Sequence, residues 1–393
     1  MRILYGVVGE GMGHATRSRV VIEHLLGRGH ELRIVVSGHA HRFLVDRLRG
    51  EPRVAIEEIH GLTLSYEDNE VDLGESLLHN LEEAPRGLLR NIQVYRKVAE
   101  DGFAPELVVS DFESWAYFYG VNHRIPVVSI DNMQILDRCQ HGLEVTDWKS
   151  FDFRLAKLAV KVKLPGAYHY LVTSFFFPPV RKRRTTLVPP ILRPEILAAR
   201  REPGEHVVVY QSVKSNQALL PMIAELEVPV RVYGRGAADA TPRRPPDGRE
   251  RARGGGVTFR PFSETGFVED LRTARAVIAG GGFSLMSEAV HLRVPMLSVP
   301  IEGQYEQELN ARYLEKLGYG RFATALDPAT IRRFLADTAA CTGALEAYEP
   351  ADNSMALDCV DELVARVARG EPPPVRLQSA SMGGYQDDAT TDS

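Results

Sequence analysis

The amino-acid sequence predicts an α/β protein built from two doubly wound, Rossmann-like domains that face a central cleft. The chain has 393 residues, which exceeds the roughly 250 to 300 residues at which a single hydrophobic core stops growing. Short apolar runs rich in β-branched residues alternate with helical patterns, as in parallel sheets that are covered on both faces. The same alternation restarts after a stretch rich in proline and arginine, so both halves are expected to share one architecture.

We assign residues 1–174 to the first, acceptor-binding domain. Its predicted strands are residues 3–8, 32–36, 107–110 and 127–130, and its predicted helices are residues 14–26 and 115–121. Residues 175–204 are rich in proline and arginine. Because proline breaks helices and stiffens extended chain, this stretch is predicted to be the interdomain linker.

We assign residues 205–369 to the second, nucleotide-sugar-binding domain. Its predicted strands are residues 206–210, 228–233, 257–259, 276–279 and 295–299. Residues 234–256 lack apolar periodicity, which predicts an exposed loop. Residues 370–393 carry too little apolar surface to offset the entropy of ordering them, so a disordered tail is expected.

Composition and charge disfavour several classes of protein. Hydrophobic residues make up 44% and charged residues 25% of the chain, as in ordinary globular proteins. The formal net charge of −5 argues against a nucleic-acid partner. The three cysteines form no CxxC pair, which favours reduced thiols in a cytoplasmic protein. The first apolar run is too short for a signal peptide, and no stretch approaches the roughly 20 apolar residues that span a bilayer.

The first candidate site is the segment GEGMGH at residues 9–14, between the first predicted strand and helix. Glycines such as Gly11 and Gly13 allow backbone N–H groups to approach a ligand, and a helix N-terminus adds partial positive charge. The spacing differs from the GxGxxG dinucleotide fingerprint. His14, at the helix N-terminus, is expected to stay neutral and accept a proton. The alternative is that His14 only caps or packs the helix.

Asp111 is the second candidate in this domain. It follows the buried run Leu107-Val108-Val109-Ser110, and so should lie at the carboxyl end of a central strand, where open α/β sheets bind ligands. A carboxylate that accepts the His14 Nδ1 proton would fix the tautomer of the imidazole and stabilise the imidazolium. The alternative is that Asp111 caps the following helix.

The second candidate site is the segment AGGGFSLMSE at residues 279–288. A structural turn needs one or two glycines, so three glycines before small polar residues favour a bound diphosphate, with Ser284 as a hydroxyl donor. Glu288 lies one helical turn after Ser284, where it could accept both ribose hydroxyls. The polar segment PIEGQYEQELN at residues 300–310 suits sugar hydroxyls, or is the acidic first turn of a solvent-facing helix.

The glycine-histidine start and the segment GGGFSLMSEAVHLRVPMLSVPIEGQYEQELNARYLEKLGYG together resemble the GT-B glycosyltransferases. The most similar branch includes the peptidoglycan N-acetylglucosaminyltransferase and UDP-glucuronosyltransferase-like bacterial and archaeal enzymes, and the resemblance covers nearly the whole ordered chain. It implies that His14 is the general base and that Asp111 orients it. It also implies that the donor is bound by Arg193, Gly281, Gly282, Phe283, Ser284, Glu288, Glu306 and Gln307.

The resemblance implies an inverting transfer from a nucleotide sugar, with UDP as the expected nucleotide. Glu306 stands where the family commonly has aspartate or glutamine, and the histidine that often precedes the glycines is absent. The chain has no DxD triplet to hold a metal under a diphosphate, so no metal and no cofactor are expected. The acceptor, a small molecule or a lipid-linked one, should bind loops of the first domain such as residues 61–80.

Two other functions remain open at this stage: a nucleotide-sugar 2-epimerase of the same fold, and a catalytically silent protein that binds sugar nucleotides. An epimerase needs no acceptor site, whereas the GEGMGH segment with Asp111 fits acceptor activation. Residues 151–163, FDFRLAKLAVKVK, interleave apolar and basic side chains. This pattern predicts either an ordinary surface helix or peripheral contact with anionic lipid.

Overall fold

The computed structural model describes residues 1–9, 11–61, 65–67, 70–147, 149–211, 219–234, 256–261 and 263–381. The chain forms two compact units. The first comprises Met1–Leu64, Leu73–Arg193 and Ala351–Ser393, and the second comprises Ser65–Asp72 and Pro194–Pro350.

The first unit is built on a seven-stranded parallel sheet. Its strands are β1 (Arg2–Val7), β2 (Glu31–Val36), β3 (Val54–Glu58), β6 (Leu107–Asp111), β7 (Val127–Asp131), β8 (His169–Thr173) and β9 (Thr185–Val188). The hairpin of β4 (Ser65–Glu67) and β5 (Glu70–Asp72) is a separate two-stranded sheet, and its residues are grouped with the second unit. The sheet order is β3-β2-β1-β6-β7-β8-β9, so the direction of winding reverses between β1 and β6. In doubly wound sheets this reversal opens a ligand-binding crevice at the carboxyl ends of the two strands.

Six helices of the first half connect these strands. They are α1 (Met12–Gly27), α2 (Gly38–Arg47), α3 (Leu73–Glu100), α4 (Ser114–Asn122), α5 (Ile135–Arg138) and α6 (Phe151–Lys163). The strands β1, β6 and β7 are buried along nearly their whole length, because helices cover the parallel sheet.

The second unit repeats the architecture on a six-stranded parallel sheet with the order β12-β11-β10-β13-β14-β15. Its strands are β10 (Val207–Tyr210), β11 (Val230–Tyr233), β12 (Val257–Phe259), β13 (Ala276–Ala279), β14 (Met296–Ser298) and β15 (Gly320–Phe322). Its helices are α7 (Pro194–Leu197), α8 (Leu219–Ala224), α9 (Glu264–Arg272), α10 (Phe283–His291), α11 (Tyr305–Lys316) and α12 (Pro328–Glu346). Here the winding reverses between β10 and β13.

The end of the chain returns to the first unit, which corrects two predicted boundaries. Helix α13 (Ser354–Ala368) was assigned by its position to the second domain, yet Cys359 and Leu363 belong to the hydrophobic cluster of the first sheet. The tail was expected to be disordered from residue 370. Instead Leu377 is buried in the same cluster, and the chain ends its described part in α14 (Gln378–Ser381). A few apolar residues are enough to order this part of the tail, because they pack against the surface of the first sheet.

The predicted linker at residues 175–204 also needs correction. Its middle forms β9, the edge strand of the first sheet, in which Thr185 and Thr186 are buried. The flanking prolines and arginines hide this four-residue strand in the sequence. Strands β3, β8 and β15 were likewise not predicted.

Some predictions fall outside the described residues. They include Glu10, residues 235–255 of the predicted loop, residues 62–64 and 68–69 of the predicted acceptor region, and residues 382–393 of the predicted tail. The three cysteines are described, and all are buried and unpaired. In the described part of the chain, no helix has the length and apolar character needed to cross a bilayer.

Candidate active site

The first candidate site lies where β1 and β6 end side by side, with Val7 paired in register with Asp111. Gly11 precedes α1 with a φ of 77°, a left-handed backbone conformation that glycine adopts without steric cost. Gly9 approaches the next loop so closely that a Cβ there would lie 2.3 Å from the Ser37 carbonyl oxygen. Glycine is therefore required in this turn by packing and by conformation, apart from any ligand.

The structure brings His14 and Asp111 together. His14 Nδ1 lies 2.8 Å from Asp111 Oδ1, and the His14 side chain is 25% exposed whereas Asp111 is buried. An ionised carboxylate can only accept hydrogen bonds, so with Asp111 as its partner Nδ1 would carry the proton and Nε2 of the neutral ring would keep its lone pair. This is the tautomer that a general base needs. Arg17 Nη2 lies 3.0 Å from the same Nδ1 and also donates to Asp111.

Two residues that the sequence analysis missed complete the site. Arg17 donates from Nε to Asp111 Oδ2 at 3.2 Å, and its Nη2 donates to Oδ1. Ser18 Oγ donates to the same Oδ2 at 2.7 Å. Arg17 and Ser18 follow His14 by one turn of α1, so the three side chains share one helix face. The spacing of His, Arg and Ser in the segment HATRS is the sequence feature that could have indicated this shared helix face.

The charge of Asp111 is set by these neighbours. Burial alone would raise its pKa, but the Arg17 guanidinium and His14 outweigh that effect and hold the pKa at about 2. Asp111 is therefore ionised at every pH at which the protein is expected to work. A permanently charged, buried carboxylate is suited to fixing one orientation of the His14 imidazole.

Asp111 is not the cap of α4, which was the structural alternative. Glu113 is the N-cap, and its side chain accepts hydrogen bonds from the backbone N–H groups of Trp115 and Ala116. Burial raises the pKa of Glu113 to about 7, although those backbone bonds act in the opposite direction. The two carboxylates thus have separate tasks: Glu113 caps a helix and Asp111 holds His14.

The second candidate site is the glycine turn between β13 and α10. Gly282 is the N-cap of α10, and no side chain caps the helix. Gly281 fits only as glycine, because a Cβ there would lie 2.3 Å from the Gln307 carbonyl oxygen. A Cβ on Gly282 would meet no atom within 4 Å. The surface at Gly282 is therefore open, while the backbone at Gly281 is held against α11.

The predicted sugar-binding residues Glu306 and Gln307 lie beside this turn. Gln307 Oε1 accepts hydrogen bonds from Gly281 N at 3.1 Å and from Ile301 N at 3.2 Å. Asn310, which was not predicted, is buried and donates from Nδ2 to the Gly281 carbonyl at 3.3 Å and to Glu306 Oε1 at 2.5 Å. These amides fix the shape of the glycine turn, which is a positioning role that the sequence analysis did not assign to them.

The remaining residues predicted to bind the sugar donor lie partly in α10 and partly at the end of a stretch of the first unit. Phe283 begins α10, Ser284 follows it partly exposed, and Glu288 lies buried in the same helix. Arg193 is buried at the end of a stretch of the first unit. The backbone just before it is held by Asn353, whose side chain bonds both Leu192 N at 2.8 Å and Leu192 O at 2.7 Å.

A metal site was not expected from the sequence. Among the residues that the structure describes, no three His, Cys, Asp or Glu side chains are grouped so that they could hold a metal ion.

Known proteins similar to this chain agree with the fold. An uncharacterized glycosyltransferase of Methanosarcina acetivorans is 26% identical over 349 residues, covering 84% of this chain and 87% of the relative. The solved glycotransferase of kitacinnamycin matches with a TM-score of 0.64 at 17% identity, over 93% of this chain and 98% of that one. MurG of Acinetobacter baumannii matches with a TM-score of 0.56 at 16% identity, over 92% and 99%.

Both solved structures confirm the predicted GT-B fold of two Rossmann-like domains, and at these identities they speak for the fold alone. The model of glycosyl transferase family 1 matches residues 1–338, which is most of the chain. This chain belongs to glycosyl transferase family 1.

Proposed function

We propose that the protein transfers a sugar from a UDP-sugar to an acceptor hydroxyl, with inversion at the anomeric carbon and without a metal ion. The observation that carries the proposal is the contact of His14 with Asp111 at the carboxyl ends of β1 and β6. Open α/β sheets bind their ligands at such a position. An accessible histidine held there by a buried carboxylate is suited to removing a proton from a bound hydroxyl.

In the proposed reaction His14 Nε2 removes the acceptor proton as the acceptor oxygen attacks the anomeric carbon. The bond from that carbon to the diphosphate oxygen breaks, and its electron pair leaves with the nucleoside diphosphate. Attack from the face opposite the leaving group inverts the configuration. Asp111 keeps Nδ1 protonated throughout and stabilises the imidazolium that forms. General-base assistance of this kind contributes about 10² to 10⁴ in rate.

The donor is proposed to bind at the glycine turn of the second unit. Backbone amides at the start of α10 and the Ser284 hydroxyl would bind the diphosphate, with partial positive charge from the helix N-terminus. Glu288 would accept the ribose hydroxyls, while Glu306 and Gln307 would contact the sugar. UDP is assigned from the family resemblance. Since the three cysteines are buried and unpaired, we assign the reaction to the cytoplasm.

The acceptor is proposed to be a small-molecule or lipid-linked hydroxyl compound bound by the first unit. The alternative functions are 2-epimerisation and silent binding of a nucleotide sugar. Neither uses an acceptor, so neither gives the pair of His14 and Asp111 an acceptor hydroxyl to deprotonate. The test is to incubate the protein in chelator with UDP-glucose or UDP-N-acetylglucosamine, alone and with a panel of alcohols, phenols and lipid-linked sugars.

Transfer predicts UDP release that depends on an acceptor, and a product whose anomeric configuration by NMR is opposite to that of the donor. Conversion of the donor to its 2-epimer without acceptor would show an epimerase. A product with retained configuration would rule out the single displacement. Activity that appears only when Mg²⁺ or Mn²⁺ is supplied would contradict metal independence.

A further inference from the structure

Helix α6 presents an apolar stripe to solvent. Phe151, Leu155, Leu158 and Val162 are 76%, 52%, 53% and 59% exposed, respectively. They lie at positions i, i+4, i+7 and i+11, so all four point to one side of the helix. Scattered exposed apolar residues are common on proteins, but a continuous stripe along three turns of one helix marks an interaction surface.

The stripe is not the face that holds α6 in the fold. Phe153 and Val160 are buried, and at 100° per residue they project from the opposite side of the helix. The helix is therefore apolar on two sides, one packed against the first unit and one directed outward. The buried side is apolar because it packs against the first unit. The outward side has no packing partner among the described residues.

Basic side chains flank the stripe. Helix α6 carries four basic residues and one acidic residue, in a chain whose formal net charge is −5. Arg154 and Lys161 lie exposed beside the stripe, and Lys157 lies on the same flank. Burial, and then the positive charge of Arg181, lower the pKa of Lys157, although the Asp137 carboxylate acts in the opposite direction. An apolar stripe with a cationic flank is complementary to an anionic bilayer surface.

The carboxyl-terminal end of α6 lies near the candidate active site. Gln134, which follows β7, donates from Nε2 to the Val160 carbonyl at 3.5 Å. The Lys163 ammonium lies 4.0 Å from the centre of the Phe112 ring, and Phe112 is the residue after Asp111. The carboxyl-terminal end of α6 thus lies at the same edge of the sheet as the proposed base.

We propose that α6 docks the protein on anionic membranes, with the four stripe side chains in the lipid interface and the basic flank against the headgroups. The occupant of this surface is a bilayer, and docking requires no donor or acceptor.

The test is co-sedimentation of the full chain with vesicles of phosphatidylcholine alone and of phosphatidylcholine and phosphatidylglycerol in equal parts, at low and high salt. The variants are Leu155→Glu/Leu158→Glu, which breaks the stripe, and Arg154→Glu/Lys161→Glu, which reverses the flank. Val375→Glu is the matched control, because Val375 is an exposed apolar residue of the same unit outside α6. Circular dichroism and the elution volume in size-exclusion chromatography are recorded for each protein.

Wild type and Val375→Glu should pellet with the anionic vesicles, less so at high salt, and both α6 variants should lose binding by about tenfold or more. Absence of wild-type binding at low salt would overturn the proposal, as would equal binding by the stripe variant. If wild type is a dimer and the stripe variant a monomer, the stripe is a subunit interface and membrane docking is wrong. None of these outcomes depends on whether the protein transfers a sugar.

Discussion

Arg17 binds Asp111 through two hydrogen bonds, one to each carboxylate oxygen, and both side chains are buried. His14 contacts the same carboxylate from the more exposed side. The guanidinium therefore offsets the cost of burying a charge, and the carboxylate can hold the imidazole in one tautomer. A histidine and a carboxylate alone would not keep the carboxylate reliably ionised at this depth.

Replacing His14 should slow catalysis and spare the fold. We expect His14→Ala to lower kcat by about 10² to 10⁴, because the acceptor proton loses its base. The chain offers a matched control in the same helix: His24 Nε2 lies 2.8 Å from Asp361 Oδ1, a histidine-carboxylate pair at the other end of α1. His24→Ala should retain wild-type kcat. Steady-state measurement of kcat for the two variants tests this prediction. An equal loss of kcat in both variants would show that His14 is not the general base.

Acid should weaken the first unit through Asp111. Its pKa is about 2 in the folded protein, below the ordinary 3.8, so the stabilisation is complete above about pH 4 and is lost as the pH falls towards 2. The shift corresponds to roughly 2 kcal/mol in the free energy of unfolding. Urea unfolding followed by tryptophan fluorescence reports this unit, because Trp115 lies in its helix α4.

The reference for that measurement is the double variant Arg17→Met/Asp111→Asn, which removes both charges together. Asp111→Asn alone would leave the Arg17 charge buried and unpaired, at a cost of about 3 to 5 kcal/mol. Between pH 4 and pH 2, wild type should lose roughly 2 kcal/mol of unfolding free energy relative to the double variant. A difference that stays constant over this range would mean that Asp111 is not held ionised by Arg17.

The strands that the sequence revealed are those with continuous apolar runs, such as Leu107–Asp111. Strand β8 was not predicted, because His169 and Tyr170 are polar residues that interrupt its apolar pattern. In the structure His169 is buried, and its Nε2 lies 2.9 Å from Thr186 Oγ1 on β9. The packing of α13 on the first sheet was also not predicted. An apolar stripe such as that of Cys359 and Leu363 indicates that a helix packs against a sheet, but it does not indicate which sheet. Long-range contacts decide both cases, and local patterns do not contain them.

Gln307 should act on the nucleotide through the glycine turn. In Gln307→Ala the N–H groups of Gly281 and Ile301 lose their shared acceptor, so the turn should loosen and UDP itself should bind about tenfold more weakly. Glu308→Ala, the next position in α11, is the control and should bind UDP normally. Calorimetry with UDP and with a UDP-sugar separates the possibilities. A variant that keeps its UDP affinity and loses only sugar affinity would show that Gln307 reads the sugar alone.

The two neighbouring glycines should respond differently to alanine. Gly281→Ala forces a Cβ to within 2.3 Å of the Gln307 carbonyl oxygen, and should cost about 1 to 3 kcal/mol of stability. Gly282→Ala meets no atom within 4 Å, so the fold should be unchanged while the added methyl group obstructs the diphosphate. Thermal unfolding and UDP titration of both variants test this. Normal UDP binding by Gly282→Ala would place the diphosphate elsewhere.

The sequence located His14, Asp111 and the glycine turn because glycines and strand ends have a fixed place in parallel sheets. It missed Arg17, since a helical pattern does not show which charged side chain turns inward to meet a carboxylate 94 positions away. It also missed Asn310, whose bond to Gly281 becomes visible only once α11 is placed beside the turn. The partners that hold a site are set by tertiary contacts, even where the site's main residues are readable.

The central claim is that the glycine turn of the second unit binds a uridine nucleotide without a metal ion, and calorimetric titration tests it most directly. UDP, TDP and GDP are titrated in chelator into wild type, Glu288→Ala, Glu288→Gln and the control Glu269→Ala, whose exposed glutamate lies on α9. We expect wild type and the control to bind UDP with a Kd of roughly micromolar order. Both Glu288 variants should bind it at least about tenfold more weakly, because alanine removes the acceptor of the ribose hydroxyls and glutamine replaces one carboxylate oxygen with an N–H donor. Failure of the folded wild-type protein to bind any of the three nucleotides, or undiminished UDP binding by Glu288→Ala, would contradict the account.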